Sequence, residues 1–486
     1  MAPHGPRAFA ELVAAFPQHE LRGDASVAVS DVALVSKDAR SETLFACVPG
    51  SHADGHAFAA DAVARGATAL LVERWLELPV AQARVASVRA AIGPIAAELF
   101  GRPAELMTVV GVTGTNGKTT TTYLLESIFR AARMRPGVIG TTGVRVDGAA
   151  APFPRTTPEA PDLQRLLAGM LEAGVDAVAM EVSSHGLDQH RVDGVRYACA
   201  VFTNLSQDHL DYHRSMDSYL AAKARLFTPT MSAIGVVNAD SPQGRTIAAP
   251  DLPTITYGVR RDADVRATDI VSGPQGVRFR VGEVDVASRL RGRFNVENCL
   301  AAFAAAEAIG VDGRTAAEGI AALRDVPGRL ETIENGRGFL VVVDYAHTPE
   351  GIRNVLRAAR PLGDGRVVIV FGCGGDRDHA KRPLMGEAAT SLADLTILTS
   401  DNPRSEDPHA IIEEIEPGAR AGGRPYEIEP DRRAAIERAI DVARPGDVVV
   451  IAGKGHETGQ EFADRTIPFD DREVASAALR ASGGRA

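Results

Sequence analysis

Residues 107–122 read MTVVGVTGTNGKTTTT, an apolar run entering a glycine-rich turn that ends in a Lys-Thr pair. Such a turn lets backbone N–H groups close round phosphate oxygens. Lys118 then sets a compact cation against them, and Thr119 offers a hydroxyl to Mg²⁺. A nucleoside triphosphate is the ligand this chemistry calls for. The spacing departs from strict G-x-x-x-x-G-K-[ST], because Val112 holds the first glycine position and the glycines fall at 111, 114 and 117. An ordinary glycine-rich βα turn would also fit these residues, so the rest of the chain has to decide.

Two further polar stretches follow apolar runs: EVSSHGLDQHR (181–191) and TNLSQDHLDYH (203–213). Ligands of open α/β sheets sit at the carboxyl ends of strands, so both are expected to face the nucleotide. Glu181 could hold Mg²⁺ directly or through water. His209 is an unusual ligand for a hard cation, and a lone histidine is more often structural. Of the 53 Lys and Arg residues only five are lysines: Lys37, Lys118, Lys223, Lys381 and Lys454. Arginine is the default cation, so a lysine marks a place that needs a point charge or an amine able to lose its proton. Lys223, within SYLAAKARLF, is expected on a helix. A protonated amine there would repel Mg²⁺, whereas a neutral amine can take up CO₂ and become an anionic carbamate. Further on, DYAHTP (344–349), GCGGDRDHAKRPLM (372–385), SDNPRSEDP (400–408) and GKGHE (453–457) again follow apolar runs. Arg377 and Arg404 could pair with a carboxylate and Glu457 with an ammonium, which suits an amino-acid zwitterion. Surface ion pairs on glycine-rich turns would read the same way.

Positioning these residues requires parallel α/β sheets. The chain has 486 residues, of which 45% are hydrophobic, enough for about three domains by a prior of roughly 150 residues each. The boundaries are read as 1–103, 104–325 and 326–486. Gly101-Arg102-Pro103 serves as the first linker, and the strand–helix alternation restarts after Asp325-Val326-Pro327-Gly328. The central unit is expected to be a parallel-sheet ATPase and the last a Rossmann-like domain. A formal charge of −10 disfavours nucleic acid and anionic membranes as partners. Cys47, Cys199, Cys299 and Cys373 are scattered and read as reduced thiols. Nothing resembles a signal peptide or a membrane span, so a cytoplasmic location is expected.

In order and approximate spacing, TGTNGKTTT, EVSSHGL, DHLDYH, the lysine of YLAAKARLF, FNVENCLAA, PGRLE and DYAHTP resemble the Mur ligases, a family of ATP-dependent amide-forming enzymes of three-domain architecture. The resemblance covers essentially the whole chain. With DNPR and GKGHE added, it points to the branch that joins meso-diaminopimelate to the D-glutamate of UDP-N-acetylmuramoyl-L-alanyl-D-glutamate in peptidoglycan precursor synthesis. The resemblance implies a UDP site near Ser51, His52 and Ala53. It implies that Thr156, Thr157, Ser183, Gln189 and Arg191 hold the muramoyl dipeptide. ATP would bind at Gly114, Thr115, Asn116, Gly117, Lys118, Thr119 and Thr120, with Asn295, Asn298, Arg329, Asp344 and His347 round the adenine, ribose and outer phosphate. Mg²⁺ would be held by Thr119, Glu181, His209 and a carbamylated Lys223. The acceptor pocket would be Arg377, Asp401, Asn402, Pro403, Arg404, Gly453 and Glu457, with Arg404 reading the far carboxylate that distinguishes diaminopimelate from lysine. One departure stands out: the family commonly has Asp-Ser-Arg where this chain has Asp38, Ala39 and Arg40.

The resemblance implies a reaction in which ATP phosphorylates the D-glutamate γ-carboxylate. Lys118, Arg329, His209 and Lys223 attend the transfer, and the acceptor amine then attacks the acyl phosphate. A monomer is expected. The rival readings are a lysine-adding relative, a folylpolyglutamate synthase-like ligase, and a P-loop NTPase used as a regulatory switch.

Overall fold

The strand Thr108–Thr113 is apolar on both faces, as a strand inside a parallel sheet must be. In the computed structural model, which describes residues 5–50, 53–333 and 335–482, it pairs in parallel with Ala177–Glu181 on one side and Cys199–Phe202 on the other. Register fixes what meets at the carboxyl edge. Glu181 lies opposite Val112, and Phe202 opposite Thr113, so Glu181 and the loop after Phe202 emerge beside the glycine-rich turn. The helix Lys118–Ala131 starts from Gly117, whose φ of 88° favours glycine.

The central sheet has the expected parallel middle, within eleven strands in all. Its parallel middle is extended at one end by the antiparallel strands Gly143–Val146 and Ala149–Ala151. At the other, the strands Val265–Gly273, Gly276–Val281 and Val284–Ser288 form an antiparallel meander. These additions fall in short alternating stretches whose pairing depends on tight turns rather than on long apolar runs. Apolar clusters cover both faces of the sheet. Behind the Lys118–Ala131 helix, Gly313–Ala322 crosses so closely that a Cβ at Gly319 would lie 2.4 Å from the Ile128 Cα.

Before it, Asp31–Ala33, Thr43–Ala46, Ala67–Val72 and Ala81–Val85 form a parallel sheet closed by the antiparallel strand His19–Arg22. Its helix Val88–Leu99 lies against the helix Ala160–Glu172, and Ala160 and Ala168 join its apolar cluster. After it comes a six-stranded sheet in the order Glu331–Ile333, Leu340–Asp344, Val448–Ala452, Val367–Phe371, Leu395–Leu398, Tyr426–Ile428. All are parallel except the first. Asp344 is paired with Ala452 and Phe371 with Leu398. The loops that follow these four strands therefore leave from one edge.

Candidate functional site

The carboxyl edges of the central and last sheets face one another across a cavity of about 280 Å³. On the central side it is lined by Gly114 to Thr119, Glu181, His209 and Lys223. The last sheet supplies His347, Arg377, Asp401, Asn402, Arg404, Gly453 and Glu457. Arg329, just before that sheet, also lines it, as do Thr156 and Ser183.

The phosphate loop is tightly built. A Cβ at Gly114 would lie 1.9 Å from Thr203 Oγ1, and one at Gly117 would lie 2.4 Å from Asn298 Oδ1. Lys118 Nζ donates to the carbonyls of Gly114 (2.9 Å) and Thr115 (2.8 Å), and Lys223 Nζ donates to Gly114 from the other side at 3.1 Å. Lys223 is 1% exposed and lies 4.4 Å from the Tyr219 ring centre. Burial, reinforced by the Lys118 charge, pushes its amine well below the usual lysine range. Burial lowers Lys118 as well, with Glu181 opposing.

Glu181 is 1% exposed and fully engaged. Its Oε1 accepts from Thr119 Oγ1 (2.9 Å) and the Thr141 amide (2.9 Å), and its Oε2 from Thr141 Oγ1 (3.1 Å). Arg329 donates to Thr119 Oγ1 at 3.0 Å and stacks over Tyr345, 4.6 Å from the ring centre. His209 has a left-handed φ of 56° and is pushed down to about 3 by burial, against the pull of Asp208. Its ring is therefore neutral and has a lone pair to give. Among the described residues no three His, Cys, Asp or Glu side chains group as a metal cage. The donors present suit Mg²⁺, which keeps several waters and is bound through one or two protein groups plus substrate phosphates.

Asp208 crosses between the two sheets. Burial opposes its ionisation, yet the Lys381 ammonium and a hydrogen bond from His347 hold its carboxyl well below the usual range. Lys381 lies 3.3 Å away and is buried with it, His209 lies 3.4 Å and His347 3.6 Å away. Sequence reasoning missed Asp208, Thr141, Tyr219, Tyr345 and Lys381, all of which line the cavity. The rarity of lysine and the polar run 372–385 were the signals available for Lys381.

In the acceptor half, Arg404 donates from Nε to Glu461 (2.8 Å) and from Nη1 to the Gly375 carbonyl (2.8 Å). Gly453, at φ 114°, lies where a Cβ would meet Asp401 Oδ2 at 2.3 Å. Arg432, buried with Asp471 at 2.7 Å, donates to the carbonyls of Ser400 and Ala452, so one guanidinium ties together the loops that carry Asp401 and Gly453.

Other expected site residues stand apart from the cavity lining. Thr157 is buried, donates to the Glu181 carbonyl at 3.0 Å and receives Arg191; Arg191 also pairs with Glu159 and with Gln189 Oε1. Thr120 is buried in the first turn of its helix. Asn295 and Asn298 are joined at 2.8 Å beneath Gly117. Asp344 accepts the Leu330 and Ala346 amides and is raised by burial, a brace between loops. Pro403 packs its carbonyl against Gly375. Ala53 accepts the Gly50 amide at 2.9 Å on the first sheet's loop, and Ser51 and His52 lie outside the described residues. Ala39 is buried, and its neighbour Arg40 pairs with Asp31.

Residues 112–306 match the Mur ligase middle domain, and residues 328–455 the domain described as Mur ligase, glutamate ligase domain. A UDP-N-acetylmuramoyl-L-alanyl-D-glutamate–2,6-diaminopimelate ligase of Geobacillus thermodenitrificans is 45% identical over 93% of this chain and 95% of its own length. One of Solibacter usitatus is 46% identical over 94% and 95%. A solved structure of a ligase of that name is 34% identical, with a TM-score of 0.70 over 98% of this chain and 99% of its own. A Mycobacterium tuberculosis folylpolyglutamate synthase shares the fold at 20% identity, with a TM-score of 0.62 over 80% of this chain and 94% of its own.

Proposed function

Because this chain belongs to the Mur ligase family, we propose that it joins meso-diaminopimelate to the D-glutamate γ-carboxylate of UDP-N-acetylmuramoyl-L-alanyl-D-glutamate, converting ATP to ADP and phosphate. One observation carries this reading. One cavity joins a phosphate loop to a pocket that includes Arg377, Arg404, Asp401 and Glu457, charges that can pair with an amino acid charged at both ends. A regulatory NTPase would have no use for the second half. The division into units at 103/104 and 325/326 is supported by the three large sheets, of five, eleven and six strands.

The γ-phosphoryl group passes to a γ-carboxylate oxygen of the dipeptide, and ADP leaves. Lys118 exchanges its loop carbonyls for phosphate oxygens, and Arg329, already within reach of Thr119, stabilises the charge on the transferring group. Thr119, Glu181 and His209 would hold Mg²⁺, which would offset the negative charge of the outer phosphates. The acceptor amine then attacks the acyl carbon. The tetrahedral adduct expels phosphate and the nitrogen loses a proton, leaving the amide. Lys223, buried and with its amine pushed well below the usual lysine range, is suited to carbamylation, and the carbamate oxygens would face the metal site. Lys223→Ala should lose most activity and regain part of it with a short carboxylic acid in solution. Activity near wild type would remove Lys223 from the mechanism.

The deciding measurement is phosphate release and product mass with ATP, Mg²⁺ and the UDP-dipeptide, comparing meso-diaminopimelate with L-lysine. Preference for diaminopimelate supports the proposal. Preference for lysine keeps the ligase and discards the acceptor, and phosphate release without an amide points to a switch.

A further inference from the structure

Lys454 has a fully buried side chain and lies beneath the acceptor pocket rather than on its wall. It follows the strand Val448–Ala452, one residue after Gly453 and three before Glu457. Its Nζ donates to Asn402 Oδ1 at 2.7 Å and to Glu457 Oε2 at 3.1 Å. Asn402 Nδ2 donates to the same Glu457 oxygen at 2.8 Å, and Asn402 Oδ1 accepts the Glu461 amide at 3.0 Å. The three side chains close a triangle in which each polar head is oriented by the other two. The ammonium can face only the oxygen end of the Asn402 amide, which turns the nitrogen end to Glu457. Glu457 Oε2 thus takes two protein donors, leaving Oε1 to serve an incoming group. A guanidinium is too broad for such a corner, which accounts for a lysine in a chain that otherwise favours arginine.

We infer that Lys454 is a positioning residue for the acceptor: it locks the Asn402 amide and turns the Glu457 carboxylate so that one oxygen is presented to the ammonium of the bound amino acid. This rests on the proposed reading of the pocket. Without the Lys454 charge, the Asn402 amide is oriented only by the Glu461 amide at its oxygen and by the Glu457 carboxylate at its nitrogen. Glu457 also loses one of the two donors that fix its rotamer.

The test uses full-length enzyme carrying Lys454→Met, which keeps the volume and removes the charge, and Lys454→Gln, which keeps a donor for Asn402. Loss of a buried charged hydrogen bond predicts a KM for diaminopimelate raised roughly ten- to hundredfold in Lys454→Met. The KM values for ATP and the UDP-dipeptide should hold, and kcat should be largely retained at saturating acceptor. Lys454→Gln should fall between. An unchanged acceptor KM, or a parallel rise in all three KM values with a lowered melting temperature, would overturn the inference. Should Lys454→Met fail to fold cooperatively, Lys454→Gln decides by the same split. If the wild type forms no amide with any acceptor, the proposed function fails and this role falls with it. If the wild type ligates and Lys454→Met keeps its acceptor KM, only the role of Lys454 fails.

Discussion

Arg404 shows what a single residue contributes and what tertiary structure adds to it. Its guanidinium is already fixed from two sides, by Glu461 and by the Gly375 carbonyl, so it meets a second carboxylate in a preset orientation. Replacing it with lysine keeps the charge and loses the fork. Arg404→Lys should lower kcat/KM for diaminopimelate about ten- to hundredfold and narrow the discrimination against L-lysine, as measured with the two acceptors in parallel. An unchanged ratio would take discrimination away from Arg404. Residues such as this were legible because their motifs are local runs at strand ends. Asp208, Tyr345 and Lys381 were not, since their roles come from sheet order and from the approach of two units, which no local spacing encodes. Asn298 packs under Gly117 and donates to Asn295, an arrangement that the FNVENC motif alone does not reveal.

Among the elements, the helix Lys118–Ala131 carries the phosphate loop at its start, and its placement depends on what lies behind it. Gly319 allows the helix Gly313–Ala322 to cross it in near contact, and Ser127 Oγ donates to the Gly319 carbonyl at 2.6 Å. Gly319→Ala should push the two helices apart at a stability cost of about 1–3 kcal/mol, read as a lower denaturant midpoint. The KM for ATP should rise with it, since Lys118 and Thr119 ride on the displaced helix. A variant of wild-type stability would show that the crossing relaxes freely. Strand existence in both large sheets was visible as apolar runs. The antiparallel additions to the central sheet were not, because their register is set by turns and cross-strand neighbours rather than by burial on both faces.

Across the whole molecule, half-buried histidines make stability depend on pH. His185 and His456 are pushed down to about 4, mainly by burial, from an ordinary value of 6.5. As pH falls below 6.5 the unfolded chain takes up protons at these positions and the folded chain does not. Stability therefore declines with acidification over the window from 6.5 to about 4. His456→Gln should flatten the dependence of melting temperature on pH in that window, and an unaltered slope would show that His456 does not contribute. His456 also spans units, its Nε2 lying 3.2 Å from the Thr141 carbonyl.

That contact belongs to a wider pattern. The last sheet meets the central one through polar links: Asp208 with Lys381 and His347, Arg329 with Thr119, Gln207 with Asp378. The buried apolar clusters divide near residue 328, with Val326 the last member of the central cluster and Leu330 the first of the next; among the described residues the partly buried Phe294 reaches across. During synthesis, then, a chain that has emerged as far as this division holds nearly every apolar partner its first two units will use. What the ribosome adds afterwards brings its own core, and it contributes charges and hydrogen bonds to the cleft. A nascent chain paused there has the apolar cores of two units in hand and still awaits half of the cleft.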